Sequence, residues 1–476
     1  MSASVTIPPG AQPAKVRPFG WKDKIGYAAG DFGNNMSCAI ITSYMLLYYV
    51  NVLGVDPKHY AIIIALIKIF DAFDDPIVGA LVDSMGTGKR GKFHPWIFWS
   101  SWPLAIVGAF VFLYVPDAPY WTKITLCIVT YILWDIAYSC MNIPYGSMAS
   151  VITSDPTQRT QLSNYRSIGA IVANIPVMIL VPLMLFKDNN PVGERFFPLT
   201  LAMSVIGLGA YMLTYFWCVE RVQPVESEEA KRTKFNFWQA LKAIGRNRPM
   251  IAMILCTLFF KLFCFTSSTT NQYVFMVYFK NTGMLSISNL ATLLPMILGM
   301  VVVTPLAKKF GKKALCSWPF LGSFVVDLML AFVPMKSPLL WIVLQAVSGA
   351  FMGLFNLLMW AVIADCIDYQ EMITGRREEG TVYAMYNFLS KFVTSFNSSI
   401  IALGLAATGY VAELQSDQTV QVANNIKMLS GLLPAIGCLL CFLVMHFLYN
   451  LDKQGVEDMN RRLGRVQDAD AASGRG

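Results

Sequence analysis

Residues 67–96 have the sequence IKIFDAFDDPIVGALVDSMGTGKRGKFHPW, which places acidic side chains inside an apolar segment. Asp71, Asp74 and Asp75 lie within the apolar run 61–82, and this run is long enough to cross a bilayer as an α-helix. A charged side chain at the centre of a bilayer costs about 2.5–3.5 kcal/mol on insertion scales. We therefore expect these carboxylates to have a compensating partner.

The polar side chains of this segment share one face of the predicted helix. At 100° per residue, Lys68 and the three aspartates fall within about one third of the helix circumference. Pro76 lacks an N–H and leaves one carbonyl beside Asp71 and Asp75 without its usual helical partner. Such an oxygen cluster predicts a site for a small hard cation or a proton. A structural ion pair between Lys68 and one carboxylate is the alternative, but three acids against one base favour the cation site.

The composition is that of a membrane protein. The chain has 476 residues, of which 55% are hydrophobic and 14% are charged, whereas soluble domains carry about 25% charged residues. Recurrent apolar segments predict about twelve membrane-spanning helices. The amino-terminal segment lacks the apolar core of a secretory signal. We therefore expect an all-α protein with multiple membrane spans.

The distribution of basic residues predicts the topology. Most of the 37 Lys and Arg residues lie in the two tails and in alternate loops, so the positive-inside rule places both termini in the cytoplasm. The net charge of +8 follows from this topology and requires no nucleic-acid partner. The predicted divisions are an N-tail at 1–24, a first bundle at 25–219, a linker at 220–247, a second bundle at 248–450 and a C-tail at 451–476.

Motifs for enzyme chemistry are missing from the sequence. The ten cysteines lie mostly in apolar segments, and the three histidines are far apart in the chain. The sequence contains no phosphate-binding loop, HExxH or GxSxG motif. We therefore expect a protein that is not an enzyme, with no cofactor and no metal beyond a coupling Na+ or H+.

Two similar loops lie about half a chain apart. GALVDSMGTGKRGK places Asp83, Lys89 and Arg90 after the second predicted span, and TPLAKKFGKKAL follows the eighth. The first loop resembles the loop signature of the major facilitator superfamily. This resemblance implies two six-helix bundles, with a substrate site between them at the membrane midplane. Asp83, Lys89 and Arg90 are then candidates for a cytoplasmic gate.

Other predicted spans also carry polar side chains, and ionisable groups inside a membrane are functional candidates by default. Asp135, Ser139 and Asn142 are spaced to share one helical face, as are Asp31 and Asn35. The candidates for binding substrate are Asp31, Asn35, Tyr138, Asn142, Arg166, Trp360 and Lys391. Near the end of the tenth span, Asp365 and Asp368 precede Arg376 and Arg377, and we interpret these four as a gate or structural salt bridge.

Five segments together indicate a family. GYAAGDFGNN, FDAFDDPIVG, GKRGKFHPW, NIPYGSM and ADCIDYQEMITGRREEG resemble the glycoside-pentoside-hexuronide:cation symporter family over nearly all of residues 22–452. The resemblance implies the major facilitator fold and cation-coupled sugar uptake at the cell inner membrane. It also implies a cation site at Asp71 and Asp75, with Ser139 as a hydroxyl ligand. Asp74 replaces an asparagine of the family, which leaves Na+ and H+ open as the coupling ion.

The predicted sugar site departs from the family pattern at Asn142, which replaces an aspartate that binds sugar hydroxyls. Arg166 and Lys391 retain the family's basic residues. One acid fewer favours an anionic sugar, a uronide or sulfo-sugar, because Arg166 can bind a carboxylate or sulfonate through two hydrogen bonds. If Asp31 and Asp135 neutralise these bases, a neutral glycoside or pentoside is the substrate instead.

Two other function classes remain open from the sequence. One is a lysolipid-type symporter, because such carriers share the family's pattern. The other is a membrane receptor that does not translocate its ligand. We expect a monomer in a lipid bilayer, with a small-molecule sugar and a monovalent cation as its partners.

Overall fold

The computed structural model describes residues 17–84, 90–153, 155–221, 245, 247–374, 393 and 396–463. Four predicted site residues, Lys89, Arg376, Arg377 and Lys391, lie outside these residues. The side chains of Asp75, Asp83 and Trp360 also lie outside the described part of the structure.

The first half of the chain forms six long helices. They are α1 (Trp21–Leu47), α2 (Pro57–Ser84), α3 (His94–Phe110), α4 (Tyr120–Ile152), α5 (Pro156–Leu185) and α6 (Phe196–Trp217). A π-helical turn, Tyr48–Val52, extends α1. Between α5 and α6, the strands β1 (Phe186–Lys187) and β2 (Asn190–Pro191) pair in a hairpin. Asp188 and Asn189 form its turn with φ of 50° and 65°, as a tight hairpin turn requires.

The second half repeats this organisation with interrupted helices. They are α7 (Arg248–Phe259), α8 (Thr266–Tyr273), α9 (Leu285–Phe310), α10 (Lys312–Leu315), α11 (Trp318–Phe332), α12 (Pro338–Thr374), α13 (Asn397–Ala407), α14 (Val420–Leu443) and α15 (Lys453–Arg462). The π-helical turns Phe260–Cys264, Val274–Tyr278 and Val444–Leu448 follow α7, α8 and α14.

Length and apolarity explain why these segments are helical. Within the described residues, eight helices are long and apolar enough to cross a membrane, and the long spans Tyr120–Ile152 and Val420–Leu448 are examples. In lipid, the backbone polar groups must bond within the segment, and the α-helix satisfies this requirement. The chain is therefore a multi-pass membrane protein, as its composition predicted.

The helices pack as two bundles, α1–α6 and α7–α14. In the first bundle α1 packs against α5 and α6, and in the second α11 packs against α12 and α14. The α1–α5 contact is so close that a Cβ on Gly169 would lie 2.1 Å from the Ala28 carbonyl oxygen. This architecture confirms the predicted fold class of two bundles of membrane helices.

The two bundles meet at one end of the molecule, which we call the closed face. It lies opposite the terminal face, where α1 begins at Trp21 and the turn after α14 ends at Leu448. A continuous apolar core joins the bundles at the closed face and includes Tyr49, Tyr60, Val274 and Ile401. Toward the terminal face, the second bundle has a separate core that includes Met253 and Cys441.

Candidate functional site

A cavity of about 510 Å3 lies between the two bundles, adjacent to the closed face. The first bundle contributes side chains from α1, α2 and α4, and the second contributes side chains from the π-helical turn after α7, from α8 and from α13. The polar and charged lining residues of the first bundle include Lys68, Asp71, Asp135, Tyr138, Ser139 and Asn142. Four of these six, Asp71, Tyr138, Ser139 and Asn142, were candidates from the sequence.

An acidic cluster with one lysine forms the charged part of the first wall. Carboxylate oxygens of Asp71, Asp74 and Asp135 all lie within 4.8 Å of one another. The Lys68 Nζ is 2.7 Å from Asp71 Oδ2 and 3.9 Å from Asp135 Oδ1. It also lies 5.2 Å from the centre of the Tyr131 ring. Two carboxylates, those of Asp71 and Asp135, therefore lie beside the Lys68 ammonium group, and Asp74 adds a third acid to the cluster.

The helical periodicity and the α2–α4 contact assemble this cluster. Asp71 and Asp74 are one turn apart on α2, and α4 packs against α2 with Asp135 at the contact. The sequence predicted Asp71, Asp74, Asp75 and Ser139 as the cation site, but it did not include Asp135. The shared face of Asp135, Ser139 and Asn142 was the available signal. Ser139 is buried and lines the same cavity.

Arg166 and Asp31 form a second charged pair, and neither is among the residues that line the 510 Å3 cavity. The Arg166 Nε donates to Asp31 Oδ1 at 2.9 Å, so the base on α5 is paired with the acid on α1. Asn35 donates to the Asp31 backbone carbonyl at 2.8 Å and accepts from Asn174 at 3.0 Å. In this conformation the predicted sugar-binding residues of α1 and α5 bind each other.

Aromatic and amide side chains on α4 give the first wall both an apolar surface and hydrogen-bonding groups. The Trp134 and Tyr138 rings stack with their centres 5.4 Å apart, and the Trp134 indole N–H donates to Ser37 at 3.1 Å. Asn142 accepts from Asn34 at 3.3 Å. Tyr145 has a different role, because its ring is fully buried and its hydroxyl donates to the Tyr27 carbonyl at 2.6 Å.

The second bundle contributes Lys261, which was not predicted from the sequence as a site residue. Lys261 lines the cavity together with Ser268, Thr269 and Asn397. The available signal was one lysine inside the apolar run CTLFFKLFCF of the predicted seventh span. It was missed because the residues on either side of it within 258–265 are all apolar.

The predicted gate residues that the structure describes lie near the terminal face. Lys312 donates to both carboxylate oxygens of Asp365 at 2.7 Å, so α10 and α12 are joined within the second bundle. The Arg90 guanidinium lies 4.9 Å from the centre of the Tyr215 ring, within the first bundle. Asp368 lies one turn after Asp365 on α12.

Glu220 holds the loop that carries Arg90. Its carboxylate accepts from the backbone N–H of Phe93 and from the His94 ring Nδ1, both at 2.8 Å, at the start of α3. Gly91 has a φ of 120°, and a Cβ there would lie 2.3 Å from the Glu220 carboxyl carbon. Burial by itself raises the pKa of Glu220, but the donors from His94 and from the backbone outweigh burial, and the net pKa lies below its ordinary value.

Comparisons with known proteins agree with this arrangement. Residues 26–453 match the family model for MFS/sugar transport proteins. The chain is 28% identical over 438 residues to the glucuronide carrier protein homolog of Escherichia coli (strain K12), covering 91% of this chain and 93% of the relative. It is 30% identical over 460 residues to the isoprimeverose transporter of Lactiplantibacillus pentosus, covering 94% and 92%.

A solved structure shares the fold. The crystal structure of a bacterial homolog of the human lysosomal transporter Spinster, in an inward-facing and unoccupied conformation, matches with a TM-score of 0.65. The match covers 94% of this chain and 98% of that chain at 11% identity, so it shows the fold alone.

These matches confirm three predictions from the sequence: the family resemblance, the major facilitator fold and a transporter that is not an enzyme. The family match extends across both bundles and includes every described residue of the cavity wall. The chain belongs to the MFS/sugar transport protein family and, within it, is of the glycoside-pentoside-hexuronide type.

Proposed function

We propose that this protein imports an anionic sugar, a uronide or a sulfo-sugar, together with Na+ or H+ by alternating access. One observation carries the proposal: the cavity between the bundles is lined by two carboxylates of the acidic cluster, Asp71 and Asp135, and also by aromatic and amide side chains. The protein acts as a monomer in the cell inner membrane, with both termini in the cytoplasm and no cofactor beyond the coupling ion.

The carboxylate cluster supports the coupling to a cation. Asp71, Asp74 and Asp135 oxygens lie within 4.8 Å of one another, with Lys68 as the base beside them. A bound cation offsets the remaining negative charge, and Asp75 and Ser139 complete its proposed set of ligands. Cation binding then raises sugar affinity, and thermodynamic linkage requires sugar binding to raise cation affinity by the same factor.

The remaining lining residues support a sugar as the transported molecule. The Trp134 and Tyr138 rings provide an apolar surface for a sugar ring, while Asn142 offers hydrogen-bonding groups for hydroxyls. Lys261 on the opposite wall supports an acidic group on that sugar. Arg166, which pairs with Asp31 here, remains a proposed ligand of another conformation. Trp360 and Lys391 remain proposed ligands on the strength of the sequence alone.

The closed face supports alternating access. With both termini in the cytoplasm, this face is the outer side, and the described conformation faces inward. Rocking of the two bundles around the loaded cavity exposes it to the other side. A membrane potential of about 100 mV adds about 2.3 kcal/mol for each charge moved through the full field.

Uptake by purified protein in proteoliposomes tests the coupling. Asp71→Asn removes one carboxylate of the cluster, so we expect it to abolish accumulation of methyl β-D-glucuronide against its gradient when a Na+ or H+ gradient is imposed. Asp417→Asn is the matched control, because Asp417 is 79% exposed and pairs with Lys280 away from the cavity. Accumulation by Asp71→Asn with an unchanged dependence on the ion gradient would contradict the proposal.

A neutral glycoside or pentoside is the second candidate, and one observation favours it. Arg166 is paired with Asp31 at 2.9 Å, and Lys68 is paired with Asp71 at 2.7 Å, so two bases of the first bundle are already neutralised. Competition for uptake of the transported sugar decides between the candidates. If the substrate is anionic, methyl β-D-glucuronide inhibits this uptake more strongly than methyl β-D-glucoside does. If the substrate is neutral, the glucuronide inhibits it less strongly.

A further inference from the structure

The two walls of the cavity carry opposite charge. On the first wall, the one base, Lys68, lies beside two acids, Asp71 and Asp135, so this wall has more carboxylates than ammonium groups. On the second wall, Lys261 is the single charged residue among the described lining residues. A molecule that spans the cavity therefore meets hydrogen-bond acceptors on one side and an ammonium group on the other.

The backbone at Lys261 is built in an unusual way. Lys261 lies in the π-helical turn Phe260–Cys264, and such wide turns occur mostly as short insertions, frequently at functional sites. Asn397 on α13 donates through its side-chain amide to the carbonyls of both Lys261 and Leu262, each at 3.1 Å. The turn is thus held from outside its own helix by a neighbouring side chain.

Aromatic packing holds the other side of the same turn. The Phe260 ring is buried against the rings of Phe320 and Phe355, with centres 5.9 and 5.2 Å away. Phe260 points into the core of the second bundle, whereas Lys261, the next residue, lines the cavity. Packing on one side and the Asn397 amide on the other fix the direction of the Lys261 side chain.

We propose that Lys261 binds the acidic group of the transported sugar and is the residue that sets the preference for anionic over neutral sugars. This inference rests on the proposed function and attributes the preference for anionic sugars to one side chain. The carboxylate or sulfonate pairs with the Lys261 ammonium, the sugar ring lies against Trp134 and Tyr138, and hydroxyls donate to the carboxylates of the first wall.

This assignment gives the acidic group a role in the transport cycle. The two walls belong to different bundles, so a ligand that binds both walls favours the conformations in which the bundles approach each other. A neutral sugar lacks the contact with the second wall and stabilises those conformations less. Specificity and translocation then depend on the same contact.

Binding measured by isothermal titration calorimetry on the purified full-length protein tests the inference. Methyl β-D-glucuronide and methyl β-D-glucoside serve as ligands, because they differ only in a carboxylate or a hydroxymethyl group at C6. For Lys261→Gln we expect about 10- to 100-fold weaker binding of the glucuronide, the range for losing one hydrogen bond to a charged group. We expect the affinity for the glucoside to change by less than about threefold, because Lys261 loses at most a hydrogen bond to a neutral group of that ligand.

Further variants separate charge from packing. Lys261→Arg keeps the charge, and we expect it to retain the preference for the glucuronide. Lys261→Met keeps the length of the side chain without its charge and replaces Lys261→Gln if the latter does not purify. Asn397→Ala loosens the turn, so we expect it to weaken glucuronide binding more than glucoside binding. Lys280→Gln, whose side chain is 52% exposed, is the control and leaves both affinities unchanged.

The outcomes distinguish this inference from the proposed function. If the wild-type protein prefers the glucuronide and the uncharged variants weaken both ligands equally, the role of Lys261 is overturned and the anionic substrate stands. If the wild-type protein shows no preference for the glucuronide, the anionic part of the proposed function fails, and the inference fails with it. Selective loss of glucuronide binding with retention in Lys261→Arg supports both.

Discussion

The closed face and the terminal face are stabilised in different ways. At the closed face, hydrogen bonds between neutral groups join one bundle to the other. Near the terminal face, buried ion pairs join helices and loops of the same bundle. The contrast separates the contacts that an alternating-access cycle has to break from those that keep each bundle intact.

Neutral groups form the bridges at the closed face. Asn189, in the hairpin between α5 and α6, accepts from the Thr282 backbone N–H at 2.9 Å. Asn190 accepts from the Ser416 N–H at 3.0 Å. The Ser399 hydroxyl of α13 donates to a carbonyl of α2 at 2.9 Å. Each such bond contributes about 0.5–1.5 kcal/mol, so the face can open without one large barrier.

Among the residues that the structure describes, ionic contacts inside one bundle dominate near the terminal face. Asp23, at the start of α1, is fully buried and pairs with both Arg17 and Arg221 at 2.9 Å. The Asp365–Lys312 pair occupies the corresponding end of the second bundle at 2.7 Å. Removing one partner of a buried ion pair costs about 3–5 kcal/mol. These contacts therefore keep the helices of each bundle together as a rigid body.

The largest expected effect follows from breaking the Asp23 contacts. Asp23→Ala leaves two arginines without their buried acid, and we expect it to lower the free energy of unfolding of the protein by about 3 kcal/mol. Chemical denaturation in detergent measures the change. The matched control is Asp417→Ala, which breaks an exposed ion pair and changes stability by less than about 1 kcal/mol. If the two variants had the same free energy of unfolding, the ion pairs of Asp23 would contribute no more to stability than an exposed pair. The proposed difference between the two faces would then be wrong.

A smaller effect is expected at the closed face. The double variant Asn189→Ala, Asn190→Ala removes acceptors from the Thr282 and Ser416 N–H groups and weakens the closed face by about 1–3 kcal/mol. The fraction of molecules open on this side then rises by about 5- to 150-fold, while the bundles themselves remain folded.

Labelling with a thiol reagent measures that opening. Thr42 lines the cavity, as does the native Cys38, so Thr42→Cys combined with Cys38→Ser provides a thiol that a membrane-impermeant reagent reaches from the closed face only after this face opens. We expect faster labelling from that side when the double variant is added to this background than in the background alone. An unchanged labelling rate, with the double variant folded, would show that other contacts keep the face closed.

The smallest expected effect concerns Glu220 at the start of α3. Its pKa lies below the ordinary value of 4.5, so the charged form stabilises the folded protein above that pH, and this contribution disappears as the pH falls through the lower folded pKa. Glu220→Gln weakens the hydrogen bonds that Phe93 and His94 donate at the start of α3 and should cost about 1 kcal/mol at pH 7. The difference from the wild type should shrink as the pH falls below 4.5; a difference that is independent of pH would contradict this assignment.

The sequence predicts much of the fold because the constraints on a membrane helix are local. An apolar run of sufficient length has to bond its backbone within itself, and residues 61–82 do so in α2. Periodicity likewise places Asp71 and Asp74 one turn apart on that helix. The second bundle is harder to predict, because its helix after Phe259 changes to a π-helical turn for which the sequence has no local signal.

The sequence by itself determined that this chain is a helical membrane transporter of a sugar family, since segment length, apolarity and local motifs need no knowledge of distant contacts. Only the tertiary structure decided which charged groups meet. Arg166 pairs with Asp31, Asp135 joins Lys68 and Asp71, and Lys261 faces them across the cavity. These partners lie on separate helices, so their pairing depends on which helix faces pack together, and spacing along one segment carries no information about that choice.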